Sequence, residues 1–279
     1  MAECRDRKTG NCTREREDGL PVQCVGEWAN EKHDFVRRYV EATGGPRQKY
    51  ASKGSGGLCY VDLFAGPGRA YIAKTKQFID GTPLIATKAS LAPYTSLVLC
   101  DLLDENIDAL RVRVAGCPGV HLVPGDCNEM IDVVASYIPK HALSLAVIDP
   151  FGASDLAFET IRRLAQFARM DLIIHFPTMG IKRNFEKPDY DKKIDRFLGM
   201  TAWREDVHGA DEAVKLIPHM KRQLTALGYA KDDEVREIEV RNDQRGLLYH
   251  LFFASKSPLG NKIWKSITRT SATGQRELF

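Results

Sequence analysis

The segment Tyr60-Val61-Asp62-Leu63-Phe64-Ala65-Gly66-Pro67-Gly68-Arg69 places a carboxylate and two close glycines directly after a short β-type run. With no Cβ in the way, backbone at Gly66 and Gly68 can approach a ligand closely. Pro67 between them removes one backbone donor and stiffens the turn. A phosphate cradle calls for bare N–H groups and a lysine, as in G-x-x-x-x-G-K-[ST]. Asp62 instead aims negative charge at the pocket, which suits a ligand carrying an ammonium or sulfonium group.

Three further polar sites follow β-type runs in the same way. Asp101 closes Ser96–Cys100, and there a carboxylate can accept two hydrogen bonds from a ribose diol. Asp126, in Pro124-Gly125-Asp126-Cys127, follows Val120–Val123, and Asp149-Pro150-Phe151-Gly152 follows Leu143–Ile148. Ligands of open α/β sheets bind outside the carboxyl ends of the strands, so four such sites at four successive strand ends define one edge. Asp101 lies 33 residues beyond Gly68, against the roughly 20 of the dinucleotide fingerprint. The excess, Ala70–Gly81, is expected to form a loop or small hairpin over the ligand.

Positioning these residues requires alternating strands and helices. Leu58–Phe64 reads as the first strand, and Thr82-Pro83 opens a helix to Leu91, with a capping residue before a first-turn proline. Asp104–Ala115, Asn128–Tyr137 and Phe158–Phe167 are amphipathic helices between the later strands, and Asp171–Phe176 is strand five. Val235–Val240 and Gly246–Ala254, after a helix over Ala210–Leu227, read as a terminal antiparallel hairpin. The expectation is an α/β protein: a mostly parallel seven-stranded sheet with that hairpin at its end and helices on both faces. Residues 1–50 are expected to form an extension with one helix, Trp28–Thr43, stopped by Gly44-Gly45-Pro46. Residues 1–26 read as irregular, and 51–279 as the main domain.

The composition is that of a globular protein: 279 residues, 43% hydrophobic and 28% charged. No run reaches the roughly 18 apolar residues of a membrane span, and the N-terminal residues are too polar for a signal peptide. Cytoplasmic residence is expected, and seven irregularly spaced cysteines make a poor disulfide framework. Cys4, Cys12 and Cys24 are spaced too widely for a zinc knuckle. A net charge of +3 does not by itself argue nucleic-acid binding. Basic residues do cluster at Lys182, Arg183, Lys192 and Lys193, and again at Lys256, Lys262, Lys265 and Arg269. Both clusters are expected to converge beside the site, where they would track a phosphate backbone. His175, ending strand five, reads as a buried core histidine. Neither G-x-S-x-G nor H-E-x-x-H occurs, so hydrolase chemistry has no support.

The pattern D-x-F-A-G-x-G resembles the first motif of Rossmann-like S-adenosylmethionine-dependent methyltransferases. Asp149-Pro150-Phe151 resembles the D-P-P-[YF] signature of amino-group methyltransferases, with one proline missing. More of the chain is similar to the three-Cys-motif partner (TcmP) family. The match runs from Val25-Gly26-Glu27-Trp28 with Lys32, through Y-V-D-L-F-A-G-P-G-R and Gly81-Thr82-Pro83-Leu84-Ile85-Ala86, to Val147-Ile148-Asp149-Pro150-Phe151-Gly152. The resemblance implies a methyltransferase-like fold and a partner encoded nearby that resembles radical S-adenosylmethionine enzymes. No C-x-x-x-C-x-x-C occurs here, so this chain is not that enzyme. It further implies that S-adenosylmethionine contacts Asp62, Phe64, Ala65, Gly66, Gly68, Asp101, Asp126 and Cys127. Asp149, Pro150 and Phe151 would serve the methyl acceptor, an amino group in nucleic acid being the leading candidate. A non-catalytic accessory subunit and a protein or small-molecule methyltransferase are the rival expectations.

Overall fold

The computed structural model describes residues 11–54, 56–209, 211–229, 235–242 and 244–269. Residues 1–10 lie outside the described residues, and from Asn11 the segment expected to be irregular is regular. It forms strands β1 (Asn11–Arg14) and β2 (Pro21–Val25), then helices α1 (Trp28–Ala42) and α2 (Gly44–Ala51). Helix α1 buries Phe35, Val36, Tyr39 and Val40, the stripe its spacing predicts. Helix α1 ends before the Gly-Gly-Pro sequence as expected, but that sequence starts a further helix that was not expected. The sequence opens α2, because a proline in a first turn forfeits an N–H that has no helical partner.

Next come β3 (Leu58–Asp62), β4 (Arg69–Ile72), β5 (Gln77–Asp80) and α3 (Thr82–Thr87). They are followed by β6 (Ser96–Asp101), α4 (Asp104–Arg113), β7 (Val120–Pro124), α5 (Ile131–Ser136), β8 (Leu143–Ile148), α6 (Phe158–Ala165) and β9 (Met170–Phe176). Helices α7 (Thr178–Asn184) and α8 (Tyr190–Leu198) were not foreseen. The helix expected over 210–227 is two, α9 (Glu212–Lys215) and α10 (Ile217–Ala226), with Pro218 in the first turn of α10. Strands β10 (Arg236–Arg241) and β11 (Leu247–Ala254) and helix α11 (Pro258–Ile267) complete the described chain.

Seven strands form one sheet in the order β7-β6-β3-β8-β9-β11-β10. The first five are parallel, β11 runs antiparallel to β9, and β10 antiparallel to β11. This is the expected Rossmann-like, mostly parallel arrangement with its terminal hairpin. Strand side chains alternate between two cores. Cys59 and Val61 join α5, α6, α8 and α10 on one face, and Leu58 and Tyr60 join α1, α3, α4 and α11 on the other. Among the described residues no helix is long and apolar enough to cross a membrane.

A second sheet, β1-β2-β4-β5, stands beside the first. The expected insertion is indeed a hairpin, β4–β5, and β2 pairs with β4 in parallel, Gln23 opposite Ala70. Charge pairs hold this sheet down. Arg69 bridges Glu15 and Asp80, and Arg113 of α4 pairs with Asp18 at 2.8 Å while donating to the carbonyls of Pro21 and Pro67. The N-terminal strands are thereby fixed against the glycine-rich turn. Cys24 is disulfide-bonded, contrary to the expectation of unpaired thiols, whereas Cys59, Cys100, Cys117 and Cys127 are free. Cys4 lies outside the described residues.

Candidate active site

The parallel register delivers Asp62, Asp101, Asp126 and Asp149 to the same edge of the sheet. Asp62 is fully buried at 0% exposure. It accepts hydrogen bonds from the Thr82 hydroxyl at 2.6 Å, the Tyr60 hydroxyl at 3.1 Å and the Phe64 N–H at 3.3 Å. Burial pushes its carboxyl up to about 7 against these donors, and the nearby Asp149 charge adds to the rise. Asp62 thus anchors the turn from within.

Asp101 links neighbouring strand ends. One oxygen accepts from the Gly66 N–H at 2.7 Å, and the other from the Leu103 N–H and the Asn106 amide. The Ala65 N–H donates to the Cys100 carbonyl, so the turn is pinned to β6 twice. A Cβ built on Gly66 would meet nothing nearer than Gln23 Oε1 at 3.4 Å, so space is open above this backbone. Gly68 has a different need. At φ +86°, its Cβ would come within 3.0 Å of Leu110 Cδ2, and its carbonyl accepts from Gly81 N–H. The second glycine therefore answers to the turn's own packing on α4. Gly68→Ala should destabilise the fold by roughly 1–3 kcal/mol, read as a lower urea midpoint; an unchanged midpoint would refute this packing argument.

Asp126 uses Oδ1 to accept from the Asn128 backbone and side chain, and Oδ2 has no partner among the described residues. Asn128 also donates to the Asp155 carbonyl and accepts from Ala157 and Thr160. It therefore staples the β7 turn to the loop after Phe151. Nothing in its sequence context singled it out. Phe64 packs partly buried against the core, and Cys127 is buried there with its thiol pushed up by burial.

Around Asp149 the structure gathers residues that lie far apart in the chain. Lys32, from α1, forms an ion pair with Asp149 Oδ2. His175 Nδ1 lies 3.0 Å from Asp149 Oδ1 and 3.0 Å from the Pro150 carbonyl. Its ring meets the Tyr249 ring edge-on at 4.4 Å, and the Tyr249 hydroxyl donates to the Trp28 carbonyl. Burial alone would raise the Asp149 carboxyl, but Lys32 and His175 outweigh it and hold it well below the usual carboxylate range. His33, the neighbour of Lys32, is held neutral, lowered to about 3 by burial and by the Lys32 charge. His175 is thus a partner of Asp149 and not a bystander of the core. Register could have suggested it, since Ile148 pairs with Ile174 and the next residue of each strand is a polar one.

Phe151 is 67% exposed beside this cluster. Its loop is tied down by Gly152 N–H to Asp155 and by Arg196 of α8 to the Ser154 carbonyl. Lys182, Arg183, Lys192 and Lys193 lie on α7 and α8, which leave the same end of β9. Lys256, Lys262, Lys265 and Arg269 do not join them. Strand β11 is antiparallel to β9, with Ala254 opposite Leu172, so the chain leaves β11 at the amino end of the parallel strands. The expected convergence of two basic segments is therefore not found.

No family model matches the chain, and no curated protein matches it. Among solved structures, protein LPL1258 of Legionella pneumophila, of family DUF519, matches at 12% identity and TM-score 0.52, over 89% of this chain and 95% of that one. The N-methyltransferase NodS of Bradyrhizobium japonicum, in complex with S-adenosyl-l-homocysteine, matches at 10% identity and TM-score 0.41, over 83% and 89%. TYW2 of M. jannaschii, in complex with AdoMet, matches at 11% identity and TM-score 0.36, over 77% and 75%. At such identities similarity speaks for the fold alone, and the fold is a Rossmann-like α/β arrangement.

Proposed function

We propose that this chain is an S-adenosylmethionine-dependent methyltransferase. The observation that supports this most is the continuous run of strand-end groups, from the open backbone at Gly66 through Asp101 and Asp126 to the Asp149-Pro150-Phe151 loop. These groups fit the cofactor. Asp101 retains one lone pair for a ribose hydroxyl, the unpartnered Asp126 oxygen suits an amino donor, and Asp62, buried beneath the turn, would lend its carboxylate to a cation seated above it. When bound, the cofactor supplies a methyl group already activated on a sulfonium centre. The chain then has to align the acceptor in line and exclude water, both positioning effects. Phe64, Ala65, Gly66, Gly68 and Cys127 would shape the cofactor's side of the cleft, and Asp149, Pro150 and Phe151 the acceptor's. An exposed aromatic beside a carboxylate suits a planar amino-bearing group stacked out of its own context.

The acceptor class we favour is an amino group in nucleic acid, with the lysines and arginine of α7 and α8, which follow β9, as the backbone contacts. Membership of the TcmP family, a radical-S-adenosylmethionine-like partner and a division into an extension of residues 1–50 and a domain of 51–279 belong to the same proposal. A second reading, a cofactor-binding accessory subunit without turnover, is favoured by one observation: both Asp149 oxygens already have internal partners.

Calorimetry with S-adenosylmethionine and labelled-methyl transfer to DNA, RNA, protein and small-molecule pools, with and without the partner, separate these readings. Asp101→Asn should weaken cofactor affinity by about 10- to 100-fold, the loss of a charge-assisted hydrogen bond. No binding to the wild type would remove the basis of both readings, and binding without transfer to any pool would leave the accessory subunit. Retention of nucleic acid must weaken steeply with salt; its absence at low salt would remove that acceptor class.

A further inference from the structure

Among the described residues His175 stands between two acceptors, and no donor is bonded to its ring. Both groups within 3.0 Å of Nδ1, the Asp149 carboxylate and the Pro150 carbonyl, can only accept. The proton of a neutral His175 ring therefore resides on Nδ1, and the lone pair on Nε2. Nε2 has no partner among the described residues, and it is not among the buried polar atoms left without one, so it is open to solvent. Tyr249 fixes the ring plane edge-on, and Lys32 holds the far oxygen of Asp149 in place. Other titratable groups of this neighbourhood are His33 on α1, which is neutral, Glu31 on α1, which acts on Tyr249, and the buried Asp62 on β3. A carboxylate that orients an imidazole through Nδ1–H and leaves Nε2 free is the arrangement of a general base.

We propose that His175 Nε2 is the base that takes the proton from the methyl-acceptor nitrogen, with Asp149 and Lys32 as its positioning residues. This rests on the methyltransferase reading and goes beyond it in naming the proton's destination. As the acceptor nitrogen gains its new bond it becomes a stronger acid. Its N–H bond breaks, the electron pair stays on nitrogen, and the proton bonds to Nε2. The resulting imidazolium is stabilised by Asp149 and passes its proton to water. Phe151, exposed on the same loop as the Pro150 carbonyl, would hold the acceptor's plane beside Nε2.

The test has two arms on the full chain. Long-range proton–nitrogen correlation on histidine-labelled protein should show His175 as the Nδ1–H tautomer in the wild type, and Asp149→Leu should relax that preference. His175→Asn keeps an N–H donor where Nδ1 stood but lacks Nε2. It should retain S-adenosylmethionine affinity within about twofold while methyl transfer to mixed-sequence DNA, total RNA or adenosine falls by on the order of 10²–10⁴-fold. In His175→Gly, added imidazole should restore part of the rate. An Nε2–H tautomer in the wild type, or transfer by His175→Asn at the wild-type rate, overturns the base while leaving the methyltransferase reading intact. Binding of the cofactor with no transfer by the wild type overturns that reading and the base with it.

Discussion

Asp149→Ala is expected to cost roughly 3–5 kcal/mol of folding stability at neutral pH, the penalty for removing one member of a largely buried ion pair. The loss follows from what remains behind: the Lys32 ammonium would keep its burial and lose its counter-charge, and His175 would lose one of its two acceptors. The effect should persist across the neutral range. Asp149 has a folded pKa below its unfolded one, so its contribution is complete above the unfolded value near 4 and disappears only as pH falls toward the folded one. Paired Lys32→Met and Asp149→Leu substitutions should recover most of the stability, because matched removal leaves no orphaned charge. Urea unfolding of the singles and the pair gives the coupling directly. Strictly additive losses would mean that the ion pair has no energetic weight.

Asp62 should act in the opposite direction with pH. Its carboxyl is raised from 3.8 to about 7 by burial, so the fold favours the protonated form. The associated stability is fully present below the unfolded value and is lost as pH rises through about 7. Between pH 5 and pH 8 this amounts to about 3 kcal/mol at 1.36 kcal/mol per pH unit. Asp171, raised to about 6 by burial despite bonds from Ser255 and Tyr39, adds in the same sense. Asp62→Asn should flatten the wild-type decline by the Asp62 share, as measured by unfolding midpoints across that range. A cation seated above the turn would favour the ionised carboxylate. S-adenosylmethionine binding should then release a proton and tighten with rising pH up to about 7, in the wild type alone. Identical pH slopes for wild type and Asp62→Asn would sink both expectations.

Local pattern carried much of this molecule. The parallel strands, the helices between them and the terminal hairpin follow from apolar runs of strand length separated by amphipathic segments, because each such run has one way to bury its faces. Parallel register then sends every strand-end carboxylate to one edge, which is why the common placement of Asp62, Asp101, Asp126 and Asp149 is legible in the sequence. Four features were not. Strands β1 and β2 have no apolar periodicity of their own, and become strands only against β4 and under Arg69 and Arg113. The Lys32–Asp149–His175 cluster joins residues 117 and 26 positions apart, a distance that only the tertiary packing of the first turn of α1 and the pairing of β8 with β9 close. The close packing of Gly68 against Leu110 was hidden as well, since a sequence does not say which side of a turn is crowded. The basic C-terminal segment follows the hairpin in sequence, yet antiparallel pairing carries it to the far end of the sheet. Chain order states which residues follow a strand, whereas strand direction, decided by long-range pairing, determines which end of the sheet they reach.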